Sequence, residues 1–137
     1  MNFNDVFAQM NWLAILVAAL ASFALGGLWY SPVLFGNVWM RENHITKEDA
    51  GQANMTIIFG TTFILQFVAA TVLAMFIGPN DINFGAMAGF MAGVGWVATS
   101  VGTHYLFERK SLTLFFINAG YSVVLLTLMG VILGAWK

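Results

Sequence analysis

Cysteine is absent from the 137 residues, proline occurs twice, and charged residues make up only 8%, where soluble proteins carry about a quarter. Each shortage excludes something. Without cysteine there is no disulfide, no thiolate metal site and no thiol nucleophile. With so little charge an ordinary soluble domain is excluded, and the five Lys/Arg form no basic stripe and leave a net charge of −1, so no nucleic-acid partner is expected. Both histidines, His44 and His104, stand apart from each other and from any carboxylate cluster with metal-ligand spacing, and no acidic side chain lies deep in an apolar run. Metal, cofactor and buried-carboxylate proton coupling are therefore not expected. No Ser, His and Asp set with triad logic and no Gly-rich phosphate loop after a strand can be named, so the chain reads as a non-enzyme.

What the chain does contain is apolar, at 60% of its residues, gathered into four long runs. Helices are expected over Asn11 to Tyr30, Met55 to Ile77, Phe84 to Phe107 and Leu112 to Trp136. At about 1.5 Å per residue each is long enough to cross a hydrocarbon core of about 30 Å. Lipid offers the backbone no hydrogen bonds, so helices are the form such runs must take. The fold class is all-α, a single transmembrane four-helix bundle over residues 1–137 made of two antiparallel hairpins. Ala19-Leu20-Ala21 resembles a signal cleavage site, but the run is long and the "MNFNDVFAQ" before it lacks Lys and Arg, so it is read as a retained helix.

The connections carry start and stop chemistry. Gly78-Pro79 ends the second helix, Asn80, Asp81 and Asn83 offer caps for the third, and Ser111 in "ERKS" caps the fourth. Ser31-Pro32 reads as an N-cap with a first-turn proline, starting a short interfacial helix over about 32–42 with Leu34, Phe35, Val38 and Trp39 on one face. Thr46 and Asp49 have capping-box spacing, which would start the second helix before it reaches lipid. Arg41, Lys47, Arg109 and Lys110 fall in the two odd loops and only Lys137 elsewhere, so the positive-inside rule puts those loops in the cytoplasm and both termini outside.

Three residue sets are candidates for packing or function. Small residues recur every four positions: Ala18, Ser22 and Gly26; Gly85, Gly89 and Gly93; Gly130 and Gly134. Such stripes let backbones approach closely, and Ala88 and Ala92 give the third helix a second small edge, suited to a central position or to a second subunit. Ser22, Gln66, Thr99, Ser100 and Ser122 fall at similar depth near the midplane, either as interhelical glue or as a transport layer. Nearer the cytoplasmic end His104 and Glu108 share a helical face, with Asn118 and Tyr121 across the hairpin and Trp29 and Tyr30 at the end of the first helix. These six make a candidate polar pocket; Phe35 and Trp39 could roof it, or the aromatics could simply anchor the chain at the interface. "GLWY" and "GTHY" at corresponding places suggest a faint internal duplication.

"NWLAILVAALASFALGGLWYSPVLFGNVWM" from Asn11 and "LFERKSLTLFFINAGYSVVLLTLMGVILGAW" from Leu106 resemble the small bacterial membrane proteins catalogued as domain of unknown function 1761. The resemblance implies a four-helix protein of the bacterial inner membrane, marks Trp29, Tyr30, Pro32, Glu108, Asn118 and Tyr121 as family-pattern positions, and supplies no catalytic residues. The function expected is a non-enzymatic homo-oligomer or partner subunit, in contact with membrane lipids, that binds a small molecule or lipid near the cytoplasmic interface. The alternative is a small-solute transporter or channel protomer using the midplane layer.

Overall fold

The computed structural model describes residues 3–136. Among them four helices are long and apolar enough to span a membrane: α2 (Trp12–Trp29), α5 (Met55–Ile77), the run Ile82–Glu108, and α8 (Leu112–Ala135). Asn11, Asn54, Asp81 and Ser111 each accept a backbone N–H from three residues on, so every span begins at a side-chain cap. The second and third spans meet at Gly78, whose φ of +56° only glycine adopts without strain. The third and fourth meet at a Schellman turn in which Arg109, at φ +57°, takes the left-handed position while the Lys110 amide reaches back to the Tyr105 carbonyl.

The hub of the bundle is α8, not the third helix. It packs against α2, α5 and α6 (Ile82–Ala92), and it carries more buried residues than any other helix, including Leu125, Met129 and Leu133. Ala14, Ile15 and Ala18 of α2 and Ala70, Leu73 and Ile77 of α5 complete one core with them. Along its other side α8 meets α6 backbone to backbone. A Cβ on Gly85 would run into the Gly130 carbonyl, one on Gly89 into the Leu126 carbonyl, and one on Gly134 would lie 2.7 Å from the Asp81 carbonyl. The glycine stripe of the third helix is thus spent inside the chain, and Ala88 and Ala92 on its other edge pack against the main core.

Four expectations need correction. The third span is not one α-helix: residues Gly93–Ala98 form a π-helical segment between α6 and α7 (Thr99–Glu108). Ser31 does not cap a helix at Pro32; its hydroxyl donates to the Leu28 carbonyl, and its own carbonyl accepts the amides of Leu34 and Gly36 in a compact turn. The short helix therefore starts later, as α3 (Gly36–Glu42), with Gly36 seated where any side chain would strike the Tyr30 and Ser31 carbonyls. The Thr46–Asp49 capping box forms through both reciprocal hydrogen bonds, each 3.1 Å, but it starts a separate helix, α4 (Lys47–Gly51), and α5 begins afresh at Asn54. Ahead of the first span, α1 (Phe3–Gln9) is held to α2 by the Trp12 indole N–H on the Phe7 carbonyl at 3.1 Å. Lys137, used above in counting charges, lies outside the described residues.

Two outcomes are expected. Gly89→Ala and Gly130→Ala should each lower stability by about 1–3 kcal/mol by forcing backbones apart, whereas Gly60→Ala, with open space around it, should not; unfolding midpoints in mixed micelles measure this. Thr46 hydrogen bonds hold the Asp49 carboxyl below its ordinary pKa of 3.8. That preference supports α4 above the unfolded value and is lost as pH falls through the lower folded one, so hydrogen-exchange protection of the Asp49 amide should fade only in that acid range.

Candidate functional site

Polar side chains concentrate where α2, α3, α7 and α8 come together, the end of the bundle that also holds the "ERKS" turn. The last turn of α2 presents Trp29 and then Tyr30, both half-buried against α8. The Trp29 indole N–H donates to the Ile117 carbonyl at 3.0 Å, and the Tyr30 hydroxyl donates to Asn118 Oδ1 at 2.6 Å. Asn118 Nδ2 in turn donates to the Tyr105 hydroxyl at 2.5 Å. One amide thus bridges the first and third spans from the fourth.

Tyr121, one turn along α8, donates to the Ser22 carbonyl at 3.3 Å and packs edge-on to Tyr30, with ring centroids 5.2 Å apart. Phe35 lies against Trp29 at 4.9 Å, and Trp39 of α3 meets Tyr30 edge-on at 5.9 Å. These rings form a roof over the Asn118 bridge. The roof is tied to the hairpin beside it by the Ser111 hydroxyl, which donates to Glu42 at 3.0 Å. No buried side-chain nitrogen or oxygen lacks a hydrogen bond among the described residues.

Four of the six sequence-derived pocket residues, Trp29, Tyr30, Asn118 and Tyr121, are brought together. His104 and Glu108 are exposed on α7 and take no part in the bridge. Their place is filled by Tyr105, which sequence reasoning missed. Its signal was available: Tyr30 closes "GLWY" and Tyr105 closes "GTHY", and the two tyrosines converge on the same asparagine.

The five midplane residues do not form a hydrogen-bonded layer among the described residues. The Ser22 hydroxyl donates to the Ala18 carbonyl and Thr99 to those of Gly95 and Trp96, each within its own helix. Gln66 and Ser122 are half-buried, and Ser100 is exposed. Of the packing residues, Ala18 is buried in the core, and a Cβ on Gly26 would stand 2.9 Å from the Tyr121 hydroxyl. A Cβ on Gly93 would lie 2.8 Å from Val123 Cα of α8, a close approach but looser than at Gly85, Gly89 or Gly130.

Beside the bridge, between α7 and the start of α8, lies an open crevice of about 300 Å³. Gly102, Leu106, Leu112 and Phe115 give it apolar walls, and Lys110 and Tyr105 stand at its polar end, the ammonium 5.8 Å from the tyrosine ring centroid. Gly102 keeps it open, since a Cβ there would lie 3.0 Å from the Phe115 ring.

Four apolar spans, three of them packed on the fourth, define a multi-pass α-helical membrane protein. Within that class residues 13–134 match the family described as "Protein of unknown function (DUF1761)", and the chain belongs to it. No curated protein and no solved structure matches the chain.

The bridge generates a measurable expectation. Tyr30→Phe and Tyr105→Phe should each cost about 0.5–1.5 kcal/mol, and Asn118→Leu, which strands both hydroxyls, should cost more than either alone. Glu108→Gln should stay within about 0.5 kcal/mol. Detergent-denaturation midpoints of the four variants would rank them.

Proposed function

We propose that the chain is a non-enzymatic protein of the bacterial inner membrane that binds an anionic amphiphile, a molecule with a phosphate headgroup and an acyl chain, in the crevice between α7 and α8. The observation that carries this reading is the pairing of apolar walls from Leu106, Leu112 and Phe115 with a single ammonium, Lys110, at one end of the same crevice. An acyl chain would lie along Phe115 while its headgroup meets Lys110. In this reading both termini lie outside the cytoplasm and the crevice at the inner face, an orientation supported by Arg41, Lys47, Arg109 and Lys110 all lying in the connections at that end.

The non-enzymatic part rests on the Asn118 bridge. Tyr30, Asn118 and Tyr105 satisfy one another, which leaves a rigid brace rather than a set of groups waiting for substrate. A midplane transport path finds less support, because the hydroxyls of Ser22 and Thr99 are occupied by their own helices.

The test is lipid retention in native mass spectra of the protein released from nanodiscs containing phosphatidylglycerol or phosphatidylcholine. Phosphatidylglycerol should be retained preferentially, and Lys110→Gln should weaken that retention about fivefold, the equivalent of roughly 1 kcal/mol per surface cation. Gly102→Phe should abolish it by filling the crevice, while Lys47→Gln should leave it intact. Equal retention by wild type and Lys110→Gln would refute the proposal.

A further inference from the structure

The end of the bundle opposite the "ERKS" turn holds a second and larger crevice, of about 420 Å³. That volume falls within the ~300–1,000 Å³ of small-molecule sites. It lies where α2 begins, where α5 gives way to Gly78-Pro79, and where α8 ends at Trp136. Ala14 of α2 and Ala74 of α5 both line it, and two methyl groups leave room there that Leu133 of α8 does not fill.

The remaining wall is α1, which contributes Val6 and Gln9. Among the described residues α1 packs extensively on no other helix. It is held by the Trp12 indole N–H on the Phe7 carbonyl at 3.1 Å and by the stack of those two rings, 6.0 Å apart. Its link to α2 is Met10 and Asn11, and Asn11 is pinned twice: Oδ1 accepts the Ala14 amide at 3.0 Å, and Nδ2 donates to the Trp136 carbonyl at 3.2 Å. The wall can therefore swing about Met10 while the spans behind it stay packed.

The lining says what would fit. No charged side chain faces the crevice, so an ionised ligand would lose its water there without gaining a partner. Two side chains that line it, the Gln9 amide and the Trp136 indole, have no hydrogen bond among the described residues. The indole N–H can only donate and the amide can donate twice, which calls for a hydrogen-bond acceptor on the ligand. Met10 and Met75 bring thioethers, which favour the edges of rings, and the Trp136 ring offers a stacking face. We propose that this crevice binds an uncharged planar ring bearing a carbonyl oxygen, a molecule of the quinone class, with α1 closing over it. The carbonyl accepts from Trp136 and Gln9 while the ring lies between the two methionines. An acyl chain would occupy the same space without using either the donors or the thioethers. The site is at the other end of the bundle from Lys110, so it stands or falls independently of anionic amphiphile binding.

The probe is radiolabelled 2-methyl-1,4-naphthoquinone, which cannot form a thiol adduct with a chain that has no cysteine. The full chain in phosphatidylcholine nanodiscs is dialysed to equilibrium against empty nanodiscs. Saturable excess binding that approaches one probe per chain is expected. Gln9→Leu and Trp136→Phe, both at exposed positions that leave the core untouched, should each weaken it about fivefold by removing a donor. Trp12→Phe keeps a ring against Phe7 but drops the bond that holds α1, and should weaken it as well. Neither 1-hexadecanol nor phosphatidylglycerol added to the bilayer should displace the probe. No saturable excess, an unchanged affinity in any of the three variants, or displacement by either competitor as effective as by the unlabelled ring would each overturn the proposal.

Discussion

The close approach of α6 to α8 is the constraint on which the rest of the structure depends. Between helices in lipid there is no hydrophobic driving force comparable to that in water, so packing must come from dispersion and short-range polar contacts that grow only when backbones nearly touch. Glycines at 85, 89, 130 and 134 permit that contact from both sides. With one flank of α8 committed to α6, its other flank is left for α2 and α5. The larger core residues, Ile15, Leu73, Ile77, Leu125 and Met129, collect there. The bundle is therefore asymmetric, with a thin seam of glycine on one side and a thicker apolar core on the other.

That seam ends where the π-helical segment begins, and the change of register sorts the polar residues of the third span into two populations. Tyr105 is turned inward, where Asn118 holds it in common with Tyr30. Ser100 and His104 are turned outward. A π turn is a less favourable backbone arrangement than the α-helix it interrupts and is frequent at functional positions. In this chain it separates a structural brace from an exposed polar ladder only a residue or two away in sequence.

Much of this was legible in the sequence. The four spans, the Gly78 stop, the Ser111 cap and the glycine stripes follow from composition and local chemistry, and each is found at or within two residues of its expected place. The site was only half legible. Trp29, Tyr30, Asn118 and Tyr121 could be grouped by depth and face, but grouping His104 with them assumed an unbroken 3.6-residue period, and a single extra residue in Gly93–Ala98 defeats that assumption. No local residue preference marks a π segment, since "GVGWVA" reads as ordinary helix. The hub was not legible for a related reason: the small residues of the third helix suited it to a central position or to a second subunit, but small residues show where a helix is approached closely, not how many neighbours it has. Likewise, Ser31 has the chemistry of a cap, and only the tight fold-back at Gly36 shows that its hydroxyl is used elsewhere.

The position of α8 also governs how the protein is made. A ribosome delivers α2, α5 and α6 to the membrane before the helix that all three pack against; α2 and α5 also pack on each other, whereas α6 makes its main contacts with α8. Until then the glycine face of α6 and the Ala14–Ala18 face of α2 stand open to lipid or to the insertion machinery. The α2–α5 pair can therefore form early, while docking of α6 waits for α8. The closing step of assembly is visible in the bond from the Asn11 side chain, just before the first span, to the Trp136 carbonyl, just after the last, at 3.2 Å. A nascent chain stalled before α8 would hold α2 against α5 and leave α6 with its glycine face uncovered.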